Sequence, residues 1–417
     1  MAMTRRCLVA TAAVLVSSSH PTMGEEALTL EATYSTSAFN ELMARAAAAY
    51  ARRPGSARVR FRTPVALDND SHIKQTLLWA VTGDLPDLSF QANNDVERLA
   101  VAGLAQPLEP LMAHLPAGSP HASAVAQIGQ VDGRPFGIPF QISVSICIVN
   151  LDLVARAGGD PANLPADWPG LLALAGRIGK LGENVIGGFF DVGSAWTFQA
   201  LVTAAGGRMA SPDGRRVAFD GPEGLAALQV VQGFGAAGMV DMSQAQAMQA
   251  FAAGTIGVLA TSNNVLTGLI RQSAGRFQVG AAPWPLPVPT GRLPAGGRTG
   301  VIFTKDPARQ AAAYAFLTYM AQPEVQTMVV EATGAVPVDL TVAQRDDLLG
   351  PFYRDRPAYR AGLARYGALT GWYNFPGLNT VEITRVQIEH LRQVATGRAS
   401  PEAALRDMAR AVQALLP

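Results

Sequence analysis

The spacing of hydrophobic positions changes repeatedly along residues 28–91. Apolar and polar residues alternate over 28–34 and again over 58–65, which predicts two strands. Between and after them, residues 40–52 and 73–81 carry apolar positions at helical spacing, and 85–91 form a short strand after a Thr-Gly-Asp turn. This order of strand, helix, strand, helix and strand predicts a parallel sheet covered by helices, and therefore an α/β lobe.

A second region begins at residues 137–150, where a β-branched apolar run predicts a buried strand. Residues 283–294 carry five prolines and predict a segment that crosses between lobes. Residues 307–320 predict a helix, and amphipathic helices at 387–396 and 401–416 close the chain. Shorter helices and strands are predicted between these segments at 151–157, 171–178, 187–190, 196–205, 224–237, 243–253, 257–261 and 277–281.

Composition narrows the possible classes of protein. A chain of 417 residues has room for two or three domains. Hydrophobic residues make up 49% and charged residues 16%, which excludes a disordered protein. The net charge of +1 gives no sign of a nucleic-acid groove or a basic membrane patch. No apolar run reaches the roughly 18–20 residues that a membrane span needs, so we expect no membrane insertion.

The first residues have the pattern of an export signal over residues 1–24. Arg5 and Arg6 supply a positive end, residues 7–16 form an apolar core, and residues 17–24 are small and polar. The pattern does not distinguish Sec from twin-arginine export. A short buried helix is the alternative interpretation of these residues. The only cysteine of the signal, Cys7, lies at the start of its apolar core, whereas a lipid-anchored cysteine would follow it. The pattern therefore predicts a soluble protein of the periplasm.

Residues with catalytic chemistry are sparse. His72, His114, His121 and His390 do not lie at metal-ligand spacing, and Cys147 stands alone in an apolar run. The chain has no nucleophile elbow and no phosphate-cradling Gly-Lys-Ser/Thr loop. We therefore expect no enzyme activity, no cofactor and no metal. A secreted glycoside or phosphodiester hydrolase stays open as an alternative, because two distant carboxylates can meet in a cleft.

Aromatic residues concentrate near the end of the chain. Four of the eight tyrosines fall within residues 351–377, together with Trp372. Prolines and glycines break this stretch, so the rings do not form the stripe of a helix. Aromatic rings on loops commonly line ligand pockets, and we expect the same here, with a satellite core cluster as the alternative.

Several segments, in this order and spacing, resemble the periplasmic solute-binding proteins of ABC importers, the extracellular solute-binding protein family 1. The similar segments are 137–150 (GIPFQISVSICIVN), 251–261 (FAAGTIGVLAT), 296–304 (GGRTGVIFT) and 306–337. The stretch 372–385 is most similar to members that bind sn-glycerol 3-phosphate and glycerophosphodiesters. The resemblance covers essentially the whole chain after the signal.

The resemblance implies two α/β lobes with a hinge between them. Residues 25–137 and 298–340 would form the first lobe, and residues 138–297 and 341–417 the second. Such a monomer would close on a small-molecule ligand without chemistry and deliver it to the membrane permease subunits of an ABC importer. The expected ligand is sn-glycerol 3-phosphate or a glycerophosphodiester. A neutral sugar, oligosaccharide or polyol is the alternative.

The resemblance also implies residues of the binding site. The family's two pocket serines fall on Ser143 and Ser262, and its pocket tryptophan falls on Trp196. The backbone position at the crossing falls on Gly297, and the tyrosine of the late loop falls on Tyr353.

Three positions depart from the pattern of glycerol-phosphate binders. Asn69 stands where those proteins have a tyrosine, and Asn93 stands where they have a glutamate that holds glycerol hydroxyls. The phosphate-binding arginine is replaced by Thr384, with Arg385 beside it. One step along a helix rotates a side chain by about 100°, so a phosphate ligand depends on whether Arg385 faces the cleft.

Overall fold

The computed structural model describes residues 28–66, 68–112, 125–377 and 379–417. The export signal predicted at residues 1–24 lies outside these ranges. Within them, no helix combines the length and the apolar character that a bilayer span requires.

The strands of the described ranges form two main sheets and two short ribbons. In chain order the strands are β1 (Thr29–Tyr34), β2 (Arg58–Phe61), β3 (Leu88–Ala92), β4 (Gln130–Val131), β5 (Arg134–Pro135), β6 (Gly137–Ser143), β7 (Ser145–Asn150), β8 (Ile186–Phe190), β9 (Ile256–Ser262), β10 (Val279–Pro283), β11 (Leu293–Pro294), β12 (Gly296–Ile302) and β13 (Leu369–Thr370).

The first sheet has the strand order β2-β1-β3-β12-β6, and the second has the order β10-β7-β9-β8. Strand β1 is parallel to β2 and β3, as the alternating strands and helices of the first segment predict. Strand β12 is antiparallel to both of its neighbours, so the first sheet is mixed rather than wholly parallel. In the second sheet β8 and β9 are parallel, and β7 is antiparallel to β9 and β10.

The helices cover these sheets. They are α1 (Asn40–Tyr50), α2 (Asn69–Thr82), α3 (Asp95–Val101), α4 (Glu109–Met112), α5 (Leu151–Arg156), α6 (Trp168–Ile178), α7 (Ala195–Ala204), α8 (Pro222–Ala236), α9 (Gln244–Ala252), α10 (Leu266–Ser273), α11 (Pro307–Met320), α12 (Pro323–Thr333), α13 (Thr341–Gln344), α14 (Gly350–Asp355), α15 (Arg360–Leu363), α16 (Thr380–Ala395) and α17 (Pro401–Gln413).

Most predicted elements are present, and α11 has the predicted bounds. Helix α16 begins at Thr380, seven residues before the predicted start at 387, because its first turns are largely polar and show little periodicity. The single strand predicted at 137–150 is two strands in different sheets, separated at Val144. Strand β6 lies beyond the predicted lobe boundary at Gly137 and yet belongs to the first sheet. A continuous apolar run does not reveal this change of sheet.

The proline-rich segment connects β10 of the second sheet to β12 of the first, as predicted for residues 283–294. Its Trp284 side chain is fully buried. The Trp284 ring centroid lies 4.9 Å from that of Trp168 and 6.1 Å from that of Phe190. Packing of this large ring fixes the crossing segment against the second lobe.

Asn263, directly after β9, links the crossing between the sheets at Val144 to the end of α12. Its Oδ1 accepts a hydrogen bond of 2.8 Å from the Val144 amide, and its own amide donates one of 2.9 Å to the Val144 carbonyl. Its Nδ2 donates a hydrogen bond of 2.9 Å to the carbonyl of Gly334, which follows α12. All three residues are buried, so these bonds satisfy backbone groups that water does not reach.

We predict that Asn263→Ala lowers the free energy of unfolding by about 2–4 kcal/mol, because two buried backbone groups lose their partners. Urea unfolding followed by circular dichroism measures this loss. The matched control is Asn264→Ala at the exposed neighbouring position, which leaves these hydrogen bonds in place. Equal midpoints for the two variants would contradict the linking role of Asn263.

Candidate ligand-binding site

A cavity of about 1090 Å³ is lined by residues from both main sheets. From the first lobe come Thr36, just after β1, and Asn69, at the start of α2. From the second come Asp191, just after β8, and Ser262, at the end of β9. Several lining residues thus lie at the carboxyl ends of strands, where α/β sheets commonly bind ligands.

Five of the eight predicted ligand-binding residues line this cavity, namely Asn69, Ser143, Trp196, Ser262 and Gly297. Each serine hydroxyl oxygen accepts a hydrogen bond from its own lobe. Ser143 Oγ accepts from Gln141 Nε2 at 2.9 Å, and Ser262 Oγ accepts from the Asn264 amide at 3.3 Å. Both hydroxyl protons are therefore available to a ligand.

Trp196 is held in the cavity wall by its own polar edge. Its Nε1 donates a hydrogen bond of 3.0 Å to the Pro294 carbonyl, and its ring centroid lies 6.1 Å from that of Trp372. Trp372 also lines the cavity, as expected for an aromatic residue of the segment 351–377. The two indoles offer an apolar surface beside the polar groups of the site.

Asn93 does not line the cavity. Its Nδ2 donates to the carbonyls of Ala295 and Gly296 at 3.1 and 2.8 Å, and its Oδ1 accepts from Thr299 Oγ1 at 2.9 Å. These contacts hold it to β12 and the residue before that strand, so its amide group is already engaged within the first lobe. The structure therefore does not bring the predicted site residue Asn93 to the cavity.

Tyr353 is likewise absent from the cavity lining. It lies on the short helix α14 and is 5% exposed. Its ring packs edge-on against Phe352, whose other contacts include Tyr359 at 4.7 Å between centroids. Burial raises the pKa of the Tyr353 hydroxyl. The segment 351–377 forms short helices that bury several rings, so the satellite-cluster alternative holds for Tyr353.

Arg385 does not face the cavity. It lies on α16 with 67% of its side chain exposed, and its Nε donates a hydrogen bond of 2.8 Å to Glu382 Oε2 on the same helix. Its neighbour Thr384 donates to the Thr380 carbonyl at 3.0 Å. The structure therefore does not bring Thr384 or the predicted site residue Arg385 to the cavity.

Arg298 lines the cavity and was absent from the predicted site. It is 5% exposed, and its Nη2 donates to Ser35 Oγ at 2.9 Å, Thr36 Oγ1 at 3.1 Å and Asn69 Oδ1 at 3.2 Å. Its guanidinium carbon lies 4.3 Å from the centroid of the Phe39 ring. A charged residue within the apolar run 296–304 is the sequence signal that identifies it.

The backbone before Arg298 requires glycine. Gly297 has a φ of 115°, and a Cβ on it would lie 1.9 Å from the Gln141 carbonyl oxygen. The pairing of β12 with β6 also shifts register between Arg298 and Thr299, which makes a bulge. Bulges change the direction of neighbouring side chains, and this one lies beside the cavity.

Asp191 brings a carboxylate to the second lobe's wall of the cavity. Its Oδ2 accepts hydrogen bonds from Gln244 Nε2 at 2.6 Å and from Thr261 Oγ1 at 3.5 Å. Burial raises the pKa of Asp191 to about 6, while the Gly193 amide and the Gln244 side chain act in the opposite direction. At neutral pH the group is therefore a buried acceptor that carries charge. No sequence motif marks it.

The other reactive side chains singled out in the sequence lie elsewhere. Cys147 is buried in β7, which confirms its predicted place in the core. His72 is buried near Thr33, and burial lowers its pKa to about 4, so it is neutral at pH 7. His390 contacts the Val386 carbonyl on α16. His114 and His121 lie outside the described residues. Among the residues described, no group of three or more His, Cys, Asp or Glu could hold a metal ion.

Two α/β lobes with a polar cavity between them define a bilobed binding fold, and solved structures share it. UgpB from Mycobacterium tuberculosis in complex with glycerophosphocholine is similar with a TM-score of 0.78 and 18% identity, over 94% of this chain and 98% of that one. The cyclic alpha-maltosyl-1,6-maltose binding protein from Arthrobacter globiformis is similar with a TM-score of 0.75 and 21% identity, over 93% and 99% of the two chains.

Sequence similarity gives the family. The pattern of the bacterial extracellular solute-binding proteins matches residues 63–361, and the chain belongs to that family. The sn-glycerol-3-phosphate-binding periplasmic protein of Agrobacterium fabrum is 23% identical over 297 residues, which cover 68% of this chain and 67% of the relative. The chain is therefore a substrate-binding component of an ABC transporter, whose partners are a small-molecule ligand and the permease subunits. Members of the family bind solutes and are not enzymes.

We predict that Asp191→Asn stabilises the ligand-free protein more at pH 7.5 than at pH 4. The folded pKa of about 6 lies above the ordinary value near 3.9, so wild-type stability falls as pH rises through this window. The variant lacks this loss, and the difference in the free energy of unfolding should reach up to about 3 kcal/mol. Denaturant unfolding at both pH values measures it.

Asp220→Asn is the matched control for this measurement. Asp220 is exposed and makes no hydrogen bond to a described side chain. Its replacement exchanges the same two groups, a carboxylate for an amide, at an exposed position outside the cavity. If both variants follow the wild-type curve, Asp191 is not the buried carboxyl that the structure shows.

Proposed function

We propose that this protein captures sn-glycerol 3-phosphate or a glycerophosphodiester outside the cytoplasm and delivers it unaltered to the permease of an ABC importer. The observation that carries the proposal is the mixed chemistry of the cavity, whose lining includes Arg298 and Asn69 of the first lobe and Asp191 and Ser262 of the second. The name of the Agrobacterium relative and the ligand of the Mycobacterium structure support the choice of ligand class.

Asp191 and Ser262 of the second lobe, together with Ser143 at the end of β6 in the first sheet, suit the glycerol part of such a ligand. Asp191 offers an ionised acceptor for hydroxyls, which is the role that the family resemblance gave to the position of Asn93. The hydroxyls of Ser143 and Ser262 can donate or accept beside it. The indoles of Trp196 and Trp372 give flat contact to carbon atoms of the ligand. The volume of about 1090 Å³ has room for a diester as well as a monoester.

Capture would proceed by closure of the two lobes. We propose that they rotate about Val144 and residues 283–294, where the chain passes between the sheets, and about residues 334–340, which connect α12 to α13. Rotation about a few connecting residues is the common mode of closure around ligands. A closed cavity would bury the ligand between groups of both lobes.

A neutral oligosaccharide is the second candidate ligand. The Trp196 and Trp372 pair favours it, since sugar faces pack well on aromatic rings. The Arthrobacter protein of the same fold is named as a binder of a cyclic maltosyl-maltose. Asn69 and the two cavity serines would be sufficient hydrogen-bonding groups for an uncharged ligand.

We predict that sn-glycerol 3-phosphate and glycerophosphocholine raise the melting temperature, whereas glycerol and maltotriose do not. A ligand at 100 times its Kd adds about 2.7 kcal/mol of stability. Differential scanning fluorimetry followed by isothermal titration calorimetry measures this, and recovery of the ligand by mass spectrometry tests that it is unchanged. Stabilisation by maltotriose alone would favour the second candidate, and turnover of a bound ligand would refute the proposal.

We predict that the stabilising ligand reduces the radius of gyration of the protein, because the lobes close on it. Small-angle X-ray scattering of the free and saturated protein measures the change. A compound from the same panel that gives no thermal shift serves as the control and should leave the scattering curve unchanged. Tight binding without any decrease would argue against closure.

A further inference from the structure

The charge of Arg298 has no carboxylate partner among the described residues. Nη2 makes three hydrogen bonds, and all of its acceptors are neutral oxygen atoms of Ser35, Thr36 and Asn69. Nε is buried without a partner, and Nη1 makes no hydrogen bond to any described residue. The guanidinium therefore lines the cavity as a cation with unused donors.

Such a charge is costly to keep in a fold. Removing a cation from water costs several kcal/mol unless a counter-charge compensates. Burial accordingly lowers the pKa of Arg298 to about 10, which still leaves it charged at neutral pH. The rest of strand β12 consists of Gly, Thr, Val and Ile, and the Arg298 side chain makes no hydrogen bond to its neighbours β3 and β6. The sheet itself therefore does not need the charge.

The groups around Arg298 add further donors. Thr36 has a φ of 73°, an uncommon conformation for a residue other than glycine, and its Oγ1 accepts from Arg298. The Thr36 hydroxyl proton thus stays available. Asn69 turns its Oδ1 to Arg298 and Ser35, so its Nδ2 is left to donate. Asn69 is also the first residue of α2, a helix of 14 residues whose amino end is electropositive.

Carboxylates in the same cavity do not neutralise Arg298. Asp68 caps α2 by accepting a hydrogen bond of 2.7 Å from the Ser71 amide. Glu41 lies 3.8 Å from Arg45, with which it forms an ion pair at the surface. Asp191 bonds to Gln244 in the second lobe. The described residues include no ion pair that involves Arg298.

We propose that Arg298, with Thr36 and Asn69, binds the phosphate group of the ligand, the role that the family resemblance gave to the position of Thr384, next to Arg385. This inference rests on the proposed function of the cavity. Nη1 of the guanidinium, the Thr36 hydroxyl and the Asn69 amide would donate to the phosphate oxygens. Charge-assisted hydrogen bonds of this kind are among the strongest in proteins. The glycerol part would then extend toward Asp191 and the cavity serines.

The test compares Arg298→Gln and Arg298→Lys with the matched control Arg385→Gln. Calorimetry with sn-glycerol 3-phosphate and glycerophosphocholine should show at least 100-fold weaker binding for Arg298→Gln. Arg298→Lys should bind with intermediate affinity, because lysine keeps the charge and loses the planar set of donors. Arg385→Gln should bind within twofold of the wild type, since Arg385 is exposed and paired with Glu382.

Two further measurements separate ligand binding from a structural role. Without ligand, Arg298→Gln should unfold at the same or a higher denaturant concentration than the wild type, because an uncompensated buried charge is removed. The ³¹P resonance of bound sn-glycerol 3-phosphate should differ between the wild type and Arg298→Lys. This comparison remains available if Arg298→Gln does not fold.

Several outcomes would overturn the inference. Unchanged phosphate-ligand affinity in both Arg298 variants would do so, as would a loss of affinity confined to Arg385→Gln. Lower stability of Arg298→Gln with unchanged ³¹P resonances in Arg298→Lys would assign the residue a structural role. Titration with D-glucuronate tests whether the Arg298 site binds a carboxylate ligand instead of a phosphate ligand. Arg298-dependent binding of glucuronate without binding of either phosphate ligand would exclude the phosphate assignment. Failure of the proposed function is distinct, since the wild type itself would then bind neither phosphate ligand.

Discussion

The hydrogen bonds of Asn263 join the end of β9, the crossing between the sheets at Val144 and the end of α12. One side chain satisfies the Val144 amide between β6 and β7 and the Gly334 carbonyl after α12. Ser143 and Ser262 are the residues directly before two of these linked positions, and both line the cavity. The geometry of the site is thus set by backbone connections between the lobes, and the ligand-facing side chains follow from it.

Hydrophobic spacing was sufficient to predict most of the elements, because each lobe buries one face of its sheets and helices. Three predicted site residues lie away from the cavity because their positions depend on tertiary packing. Whether Asn93 meets a ligand or holds β12 depends on how closely β12 approaches it. Tyr353 is buried because its proline-broken segment still folds into short helices. The side of α16 that carries Arg385 is fixed by packing that a sequence pattern does not contain.

Both walls of the cavity contain an ionisable group whose burial works against its charge. Burial lowers the pKa of Arg298 in the first lobe and raises the pKa of Asp191 in the second. Each group would gain more from a polar ligand than it gains in the empty protein, where neutral neighbours are its partners. These two buried charged groups thus lower the stability of the ligand-free protein, and the same groups are available to bind a ligand. Such a trade between stability and function is common in proteins.

Gly297 has an evolutionary consequence for the scaffold. The Gln141 carbonyl leaves no space for a side chain at Gly297. Substitution of this glycine by any residue with a Cβ would therefore force the two strands apart. The next position, Arg298, has a φ outside the left-handed region, and its side chain lines the cavity. Relatives could therefore change their ligand specificity by substituting the residue at the position of Arg298. The pairing of β12 with β3 and β6 would be retained.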